Sequence, residues 1–231
     1  HGARMATHAY QNLSLTHVYL FTDQGRATEQ LAKGFAETFT ELGGTVDTLK
    51  VPRDYEEDGV EEIPELVSSI PGNSPGIGVY IPLIANEEPA SLIVNLLRKE
   101  DKAVTVMGSP HFYSRYNTLP RDIKESFQLL FTTSYLADAQ SPRYRELYNR
   151  YLQAYKLPPS DNVVQGYDLA RYLLRLLNNY DPSLGLSLDG YFRFAPRFEG
   201  LHIDYQFSSQ QSNQHVNIGQ YTETGVLRVE E

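Results

Sequence analysis

The feature that most constrains this chain is a regular exchange of two periodicities between residues 16 and 108. Short runs rich in β-branched and apolar residues, "THVYLFT" (16–22), "TVDTLKV" (45–51), "IGVYIPL" (77–83) and "AVTVMG" (103–108), alternate with stretches whose apolar residues recur every three or four positions. Residues 26–42 place Ala27, Leu31, Phe35, Phe39 and Leu42 on one helical stripe that stops at Gly43-Gly44. Residues 87–100 repeat the pattern with Ala90, Ile93, Leu96 and Leu97. Between them, the acidic "DYEEDGVEEIPELVSSI" predicts a loop and a short helix with carboxylates in its first turns, where the helix dipole favours them. Strands alternating with helices of this length predict an α/β fold, a parallel β-sheet flanked by helices on both faces.

The pattern changes after residue 108. "SPHFYSRYNTLPRD" has no periodicity and reads as a long loop, and "FQLLFTTSY" (127–135) as a fifth strand. Residues 143–155 put Tyr144, Leu147, Tyr148, Tyr151, Leu152 and Tyr155 on one stripe, and a second helix over about 161–179 is apolar on much of its circumference. The last third, "LHIDYQF", "HVNIGQY" and "GVLRVE" with a "TETG" turn, alternates at period two and predicts a C-terminal antiparallel β segment.

Composition excludes several chemistries. Twenty Lys and Arg against 29 Asp and Glu give a net charge of -9, with basic residues scattered in pairs, so nucleic acid is not an expected partner. With no cysteine there is neither a thiolate nucleophile nor a zinc-cysteine site. No apolar run reaches the roughly 18 to 20 residues that a membrane-spanning helix needs. The turn after the first strand, Asp23-Gln24-Gly25, lacks the glycines and lysine of a phosphate loop or dinucleotide fingerprint. It either delivers Asp23 and Gln24 into the crevice at the carboxyl ends of the strands, or is a plain turn with Thr22 or Asp23 capping the next helix.

Ser109 and His111 also follow a strand, but two residues apart across a proline they are poorly placed as nucleophile and base. The six histidines show no short-spaced ligand cluster, and His202, Asp204 and His215 read as exposed polar residues on a β face. The acidic run from Asp54 to Glu65 lacks the ligand spacing of a calcium loop and reads as a solvated helix face.

The order of these elements resembles the type I periplasmic binding proteins, the Leu/Ile/Val-binding group and the receptor ligand-binding domains related to it. "HVYLFTDQGRATEQLAKGFAETFTELGGTV" is similar to the strand, turn, long helix and Gly-Gly element that opens that family's second, Rossmann-like lobe. "IPELVSSIPGNSPGIGVYIPLIANEEPASLIVNLLRK" resembles its next helix, buried strand and helix. "YRELYNRYLQAYKLPPSDNVVQGYDLARYLLRLLN" resembles its paired helices with a Gly166-Tyr167-Asp168 motif, and "FRFAPRFEGLHIDYQFSSQQSNQHVNIGQYTETGVLRV" its closing β segment.

The resemblance implies a second-lobe-like α/β domain (1–135), a helix pair and connection that pack on a first lobe (136–199), and a β segment returning to the α/β lobe (200–231). It implies a non-enzymatic solute-binding protein of an ABC-type uptake system, without cofactor or metal, periplasmic or anchored to a membrane as a lipoprotein. Such a protein closes on a small polar ligand, with Asp23, Gln24, Gly25, Ile84, Ser109, His111 and Tyr113 lining the second-lobe side. Expected partners are that small molecule, a membrane permease or envelope protein, and a missing first lobe or second chain, because only fifteen or so residues precede the first strand where relatives carry a whole lobe.

Two departures bear on the ligand. Gln24 stands where amino-acid binders of the family carry a tyrosine, and "GSPHFYS" offers no carboxylate for an α-ammonium group. A buried ammonium without a counter-charge is costly, which disfavours a free amino acid held in the family's usual manner. The alternative is a ligand-free scaffold or regulator of the same fold, like the activators of penicillin-binding proteins. A hydrolase using Ser109 and His111 is a third, weaker reading.

Overall fold

A computed structural model describes residues 1–23, 25–52, 60–72, 74–83, 87–110, 127–207, 213–222 and 225–229. Chain contacts divide it into two compact units, His1–Thr133 with Ile218–Glu231, and Ser134–Asn217.

The first unit is built on β1 (His17–Thr22), β2 (Thr45–Lys50), β3 (Ile77–Ile81), β4 (Thr105–Gly108), β5 (Leu129–Thr133), β6 (Asn217–Thr222) and β7 (Gly225–Val229). They form one sheet in the order β2-β1-β3-β4-β5-β6-β7, parallel from β2 through β5, with β6 and β7 closing it as an antiparallel pair. The central strands are buried nearly end to end, as expected where helices cover both faces. Helices α1 (Gly2–Gln11) and α2 (Arg26–Glu41) pack on one face, where Met5, Ala6, Phe35 and Phe39 meet Val18, Leu20, Tyr80, Met107, Leu130 and Ile218. Alternation places Phe21, Val79, Ile81, Val106, Leu129 and Phe131 on the opposite face, also fully buried. Among the described residues, the helices left for that face are α3 (Val60–Ser68) and α4 (Glu87–Lys99), whose Ile63, Val67, Ile93 and Leu97 are solvent-free. Each such aliphatic side chain contributes about 1.5–3 kcal/mol by leaving water.

The double glycine ends α2 as its sequence predicts. Gly43 adopts φ +102°, and the Gly44 N–H returns to the Phe39 carbonyl at 2.9 Å. Helix α1 has no counterpart in the periodicity reading.

The second unit holds α5 (Pro142–Tyr155), α6 (Asp161–Asn179) and α7 (Leu188–Phe194). Helix α5 starts on Ser141, whose Oγ accepts from the Tyr144 N–H at 3.1 Å, and it buries no residue fully. Helix α6 buries only Val164, Asp168, Tyr172 and Leu176, one in four along a single stripe. Tyr172 lies within an aromatic cluster of Phe192, Phe198, Tyr205 and Phe207. Leu169, Leu173 and Leu177, on another side of α6, are exposed.

The period-two tail is only half sheet. Residues 217–222 and 225–229 pair as a hairpin, whereas 201–207 makes isolated bridges, Phe198 with Tyr205 and Phe207 with Asn213. The segment that alternates in sequence is instead curled onto a buried carboxylate in α6.

Candidate functional site

Strand order locates the crevice. The chain leaves β1 for β2 on one side and then crosses to β3 on the other, so the connections diverge at the carboxyl ends of β1 and β3. In open α/β sheets this switch point is where ligands bind. The described residues at that edge are Thr22 ending β1 with Asp23 and Gly25 after it, Pro82 and Leu83 after β3, Ser109 and Pro110 after β4, and Thr132 and Thr133 ending β5. Gln24, Ile84, His111 and Tyr113 lie outside the described residues, as do residues 54–59 of the acidic run.

Asp23 is half-buried, and its Oδ1 accepts from the Gly25 N–H at 2.8 Å while the Thr22 Oγ donates to the Asp23 carbonyl at 3.1 Å. Gly25 is the N-cap of α2 and receives no side-chain cap, so neither Thr22 nor Asp23 performs the capping role weighed from the sequence. The reason is local. An aspartate two residues before an N–H closes an Asx turn onto it through Oδ1.

Ser109 is 1% exposed, and its Oγ is buried without a hydrogen-bond partner among the described residues. Register pairs Gly108 with Phe131, which brings Ser109 next in line with Thr132, itself fully buried with an unpartnered Oγ. Two unsatisfied hydroxyls at adjoining strand ends are unusual, because a buried donor without a partner costs about 1–3 kcal/mol. Thr132 is the residue that the sequence reading missed: the Thr-Thr pair closing the apolar "FQLLF" is visible in the sequence, but the unsatisfied hydroxyl is not. The hydrolase reading pairs Ser109 with His111 as its base, and His111 lies outside the described residues.

In the second unit the polar residues have structural work. Asp168 is solvent-free, and its carboxylate accepts from the N–H groups of Leu201 (2.8 Å), His202 (2.7 Å) and Ile203 (3.1 Å). His202, Asp204 and His215, expected on an exposed β face, are all buried, at 3%, 1% and 9% exposure. The correction follows from Asp168, which gathers 201–203 into a turn and so breaks the alternation that would have put these side chains in water. Asp204 receives Arg197 at 2.8 Å and the Gly200 N–H at 3.0 Å, with His215 Nε2 at 3.3 Å. His202 stacks on Tyr135 at 5.2 Å, and burial pulls its imidazole below the ordinary histidine range despite the Asp161 and Asp168 carboxylates. Among the described residues no group of three or more His, Asp or Glu gathers as metal ligands, and no helix is long and apolar enough to cross a membrane.

No protein-family model matches the sequence, and none of the curated proteins compared with it does. Solved structures do match. A leucine-binding protein, LivK, of Thermotoga maritima is 22% identical, with a TM-score of 0.63 over 99% of this chain and 64% of its own. An ABC transporter substrate-binding protein of Desulfitobacterium hafniense in complex with leucine is 13% identical, with a TM-score of 0.66 over 99% and 64%. A solute-binding protein of an ABC transporter from Rhodopseudomonas palustris, in complex with 3,4-dihydroxybenzoic acid, is 15% identical, with a TM-score of 0.59 over 100% and 63%. The chain thus spans about 64% of the length of the structures that it matches. What they share with it, through nearly all of its residues, is the type I periplasmic-binding-protein fold.

Proposed function

We propose that this chain belongs to a solute-binding protein, the ligand-capturing component of an ABC-type uptake system or a related receptor outside the cytoplasmic membrane. The observation that carries this reading is the pair of unpartnered hydroxyls, Ser109 and Thr132, at the same sheet edge as the half-buried Asp23 carboxylate. Hydroxyls of this kind are satisfied when a polar ligand supplies the missing hydrogen bonds. Asp23, Gln24, Gly25, Ile84, Ser109, His111 and Tyr113 form the proposed ligand-facing set, now with Thr132. The ligand is a small polar molecule, and its release to a membrane permease would follow from the role of the structural neighbours in ABC transport.

The test is a thermal-shift screen of the 231-residue chain against amino acids, amides, hydroxylated aromatic acids and sugars. A ligand at a hundred times its Kd stabilises the native state by about 2.7 kcal/mol, several degrees in Tm, and Asp23→Asn reduces the affinity about tenfold. Silence across such a library would sink the proposal.

A second reading, a ligand-free scaffold in the bacterial envelope, is supported by the exposed Leu169, Leu173 and Leu177 side of α6, since contiguous apolar surface marks an interaction site. It predicts a stable complex that Leu173→Glu abolishes, together with silence in the ligand screen.

A further inference from the structure

The second unit contains a cleft of about 800 Å³ whose lining includes Arg143, Arg171, Arg175, Arg197, Phe198 and Glu199. Four guanidinium groups against one carboxylate side chain is an unexpected density in a chain of net charge -9. Two of the four are already oriented by the protein. Arg197 is held by the buried Asp204 at 2.8 Å, and Arg143 reaches the Glu199 carbonyl at 3.4 Å.

The other two carry their charge without an acidic partner among the described residues. Arg171 lies 5.6 Å from the Phe198 ring centroid and 5.5 Å from that of Tyr167, and Arg175 lies 6.0 Å from Phe198. Stacking on aromatic faces fixes the plane of each guanidinium while leaving its N–H fork unoccupied. Like charges assembled in one cleft repel, and a bound anion relieves that repulsion.

We infer that this cleft binds a phosphoryl group. All four cations are arginine, whose planar fork matches oxyanions bidentately. A single carboxylate presents two coplanar oxygens, enough for one fork, whereas the three terminal oxygens of a phosphoryl group serve several guanidiniums converging from different directions. The cleft lies wholly within the second unit and uses none of the residues proposed for solute capture, so the two sites stand or fall separately. The phosphoryl group comes either from a soluble phosphate ester or from a phospholipid headgroup.

The experiment titrates the 231-residue chain with inorganic pyrophosphate by calorimetry, with sodium chloride adjusted to constant ionic strength. Saturable binding that weakens at least tenfold in R171Q/R175Q, with an unchanged circular dichroism spectrum, is the expected result. R171K/R175K keeps the charge and loses the forks, and is expected to recover only part of the affinity. R150Q, which removes an exposed arginine paired with Glu146 away from the cleft, should bind within twofold of the parent. Flotation with vesicles of phosphatidylglycerol or of phosphatidylcholine separates the sources: capture by the former that R171Q/R175Q abolishes assigns the headgroup, and pyrophosphate binding without capture assigns a soluble ester. The proposal is overturned if neither pyrophosphate nor vesicles bind, if R150Q weakens binding as much as R171Q/R175Q, or if citrate binds as tightly as pyrophosphate.

Discussion

Asp168 is the residue on which the second unit's fold most directly depends, and Asp168→Ala tests this. The substitution removes the acceptor of the Leu201, His202 and Ile203 N–H groups, of which the first two belong to buried residues. A buried donor deprived of its partner costs about 1–3 kcal/mol, so three of them bound the loss at roughly 3–9 kcal/mol. Water entry and relaxation of the partly exposed Ile203 end place the expected value near the lower part, about 3–5 kcal/mol. Asp168→Asn keeps one acceptor oxygen but turns an amide N–H₂ toward the Leu201 N–H, and should cost about 1–2 kcal/mol. Gly200→Ala attacks the same joint from the other side, because a Cβ there would run into the Ile203 carbonyl and stand 2.7 Å from Asp168 Oδ2. Urea titrations followed by circular dichroism and by tyrosine fluorescence, the chain having no tryptophan, report the two units separately if they unfold separately. With a slope of about 1–3 kcal/mol/M, Asp168→Ala should lower the second-unit midpoint by 1 M or more at an unchanged slope. A loss under about 1 kcal/mol would refute the claim that this carboxylate organises residues 200–204.

Two further predictions concern buried polar groups. Tyr80 is solvent-free, stacked on Phe35 at 4.4 Å, and its hydroxyl has no hydrogen-bond partner among the described residues, so Tyr80→Phe should stabilise the first unit by about 1–2 kcal/mol in the same titration; a destabilisation would show that the hydroxyl is satisfied in solution. Burial lowers the pKa of His202 in the second unit, and burial followed by the Arg4 charge lowers that of His8 in the first. Each side chain therefore takes up its proton more readily unfolded than folded, and stability should fall as pH drops below the ordinary histidine value of about 6.5. The urea midpoint measured at pH 7.5 and 5.5 checks the direction, and His202→Gln should flatten the dependence in the second-unit transition.

The parallel sheet was legible because each of its strands and helices carries a complete signal of its own. "THVYLFT" and "IGVYIPL" are buried on both faces and so read as continuous apolar runs, and Phe35 and Phe39 mark the inward stripe of α2. Helix α1 was not legible because much of its contact surface is made of small residues: Gly2 lies so close to the Leu31 carbonyl and the Phe35 N–H that a Cβ would clash, and Ala6 and Ala9 are fully buried. Its buried stripe of Gly2, Met5, Ala6, His8 and Ala9 has helical spacing, but Met5 is the one large apolar side chain that marks it. The tail failed for the opposite reason, since "LHIDYQF" has the period of a strand but is bent by Asp168, a residue over thirty positions away in α6. At the crevice, Asp23 and Ser109 were recognisable from their places after strands. Thr132 was not, because its unsatisfied hydroxyl is a property of the packed neighbourhood rather than of local sequence.

The adjacency of β5 and β6 has a consequence for how the molecule is made. The two strands are neighbours in the sheet, yet the whole second unit lies between them in the chain. While the chain is being synthesised, β5 therefore presents an open hydrogen-bonding edge, with all five of its residues destined for burial, until β6 emerges. An apolar edge left waiting in this way is a template for pairing with another chain. Early folding of residues 134–217 into a compact body would shorten the effective loop and hasten closure, so the second unit also governs how long the nascent first unit stays open to aggregation.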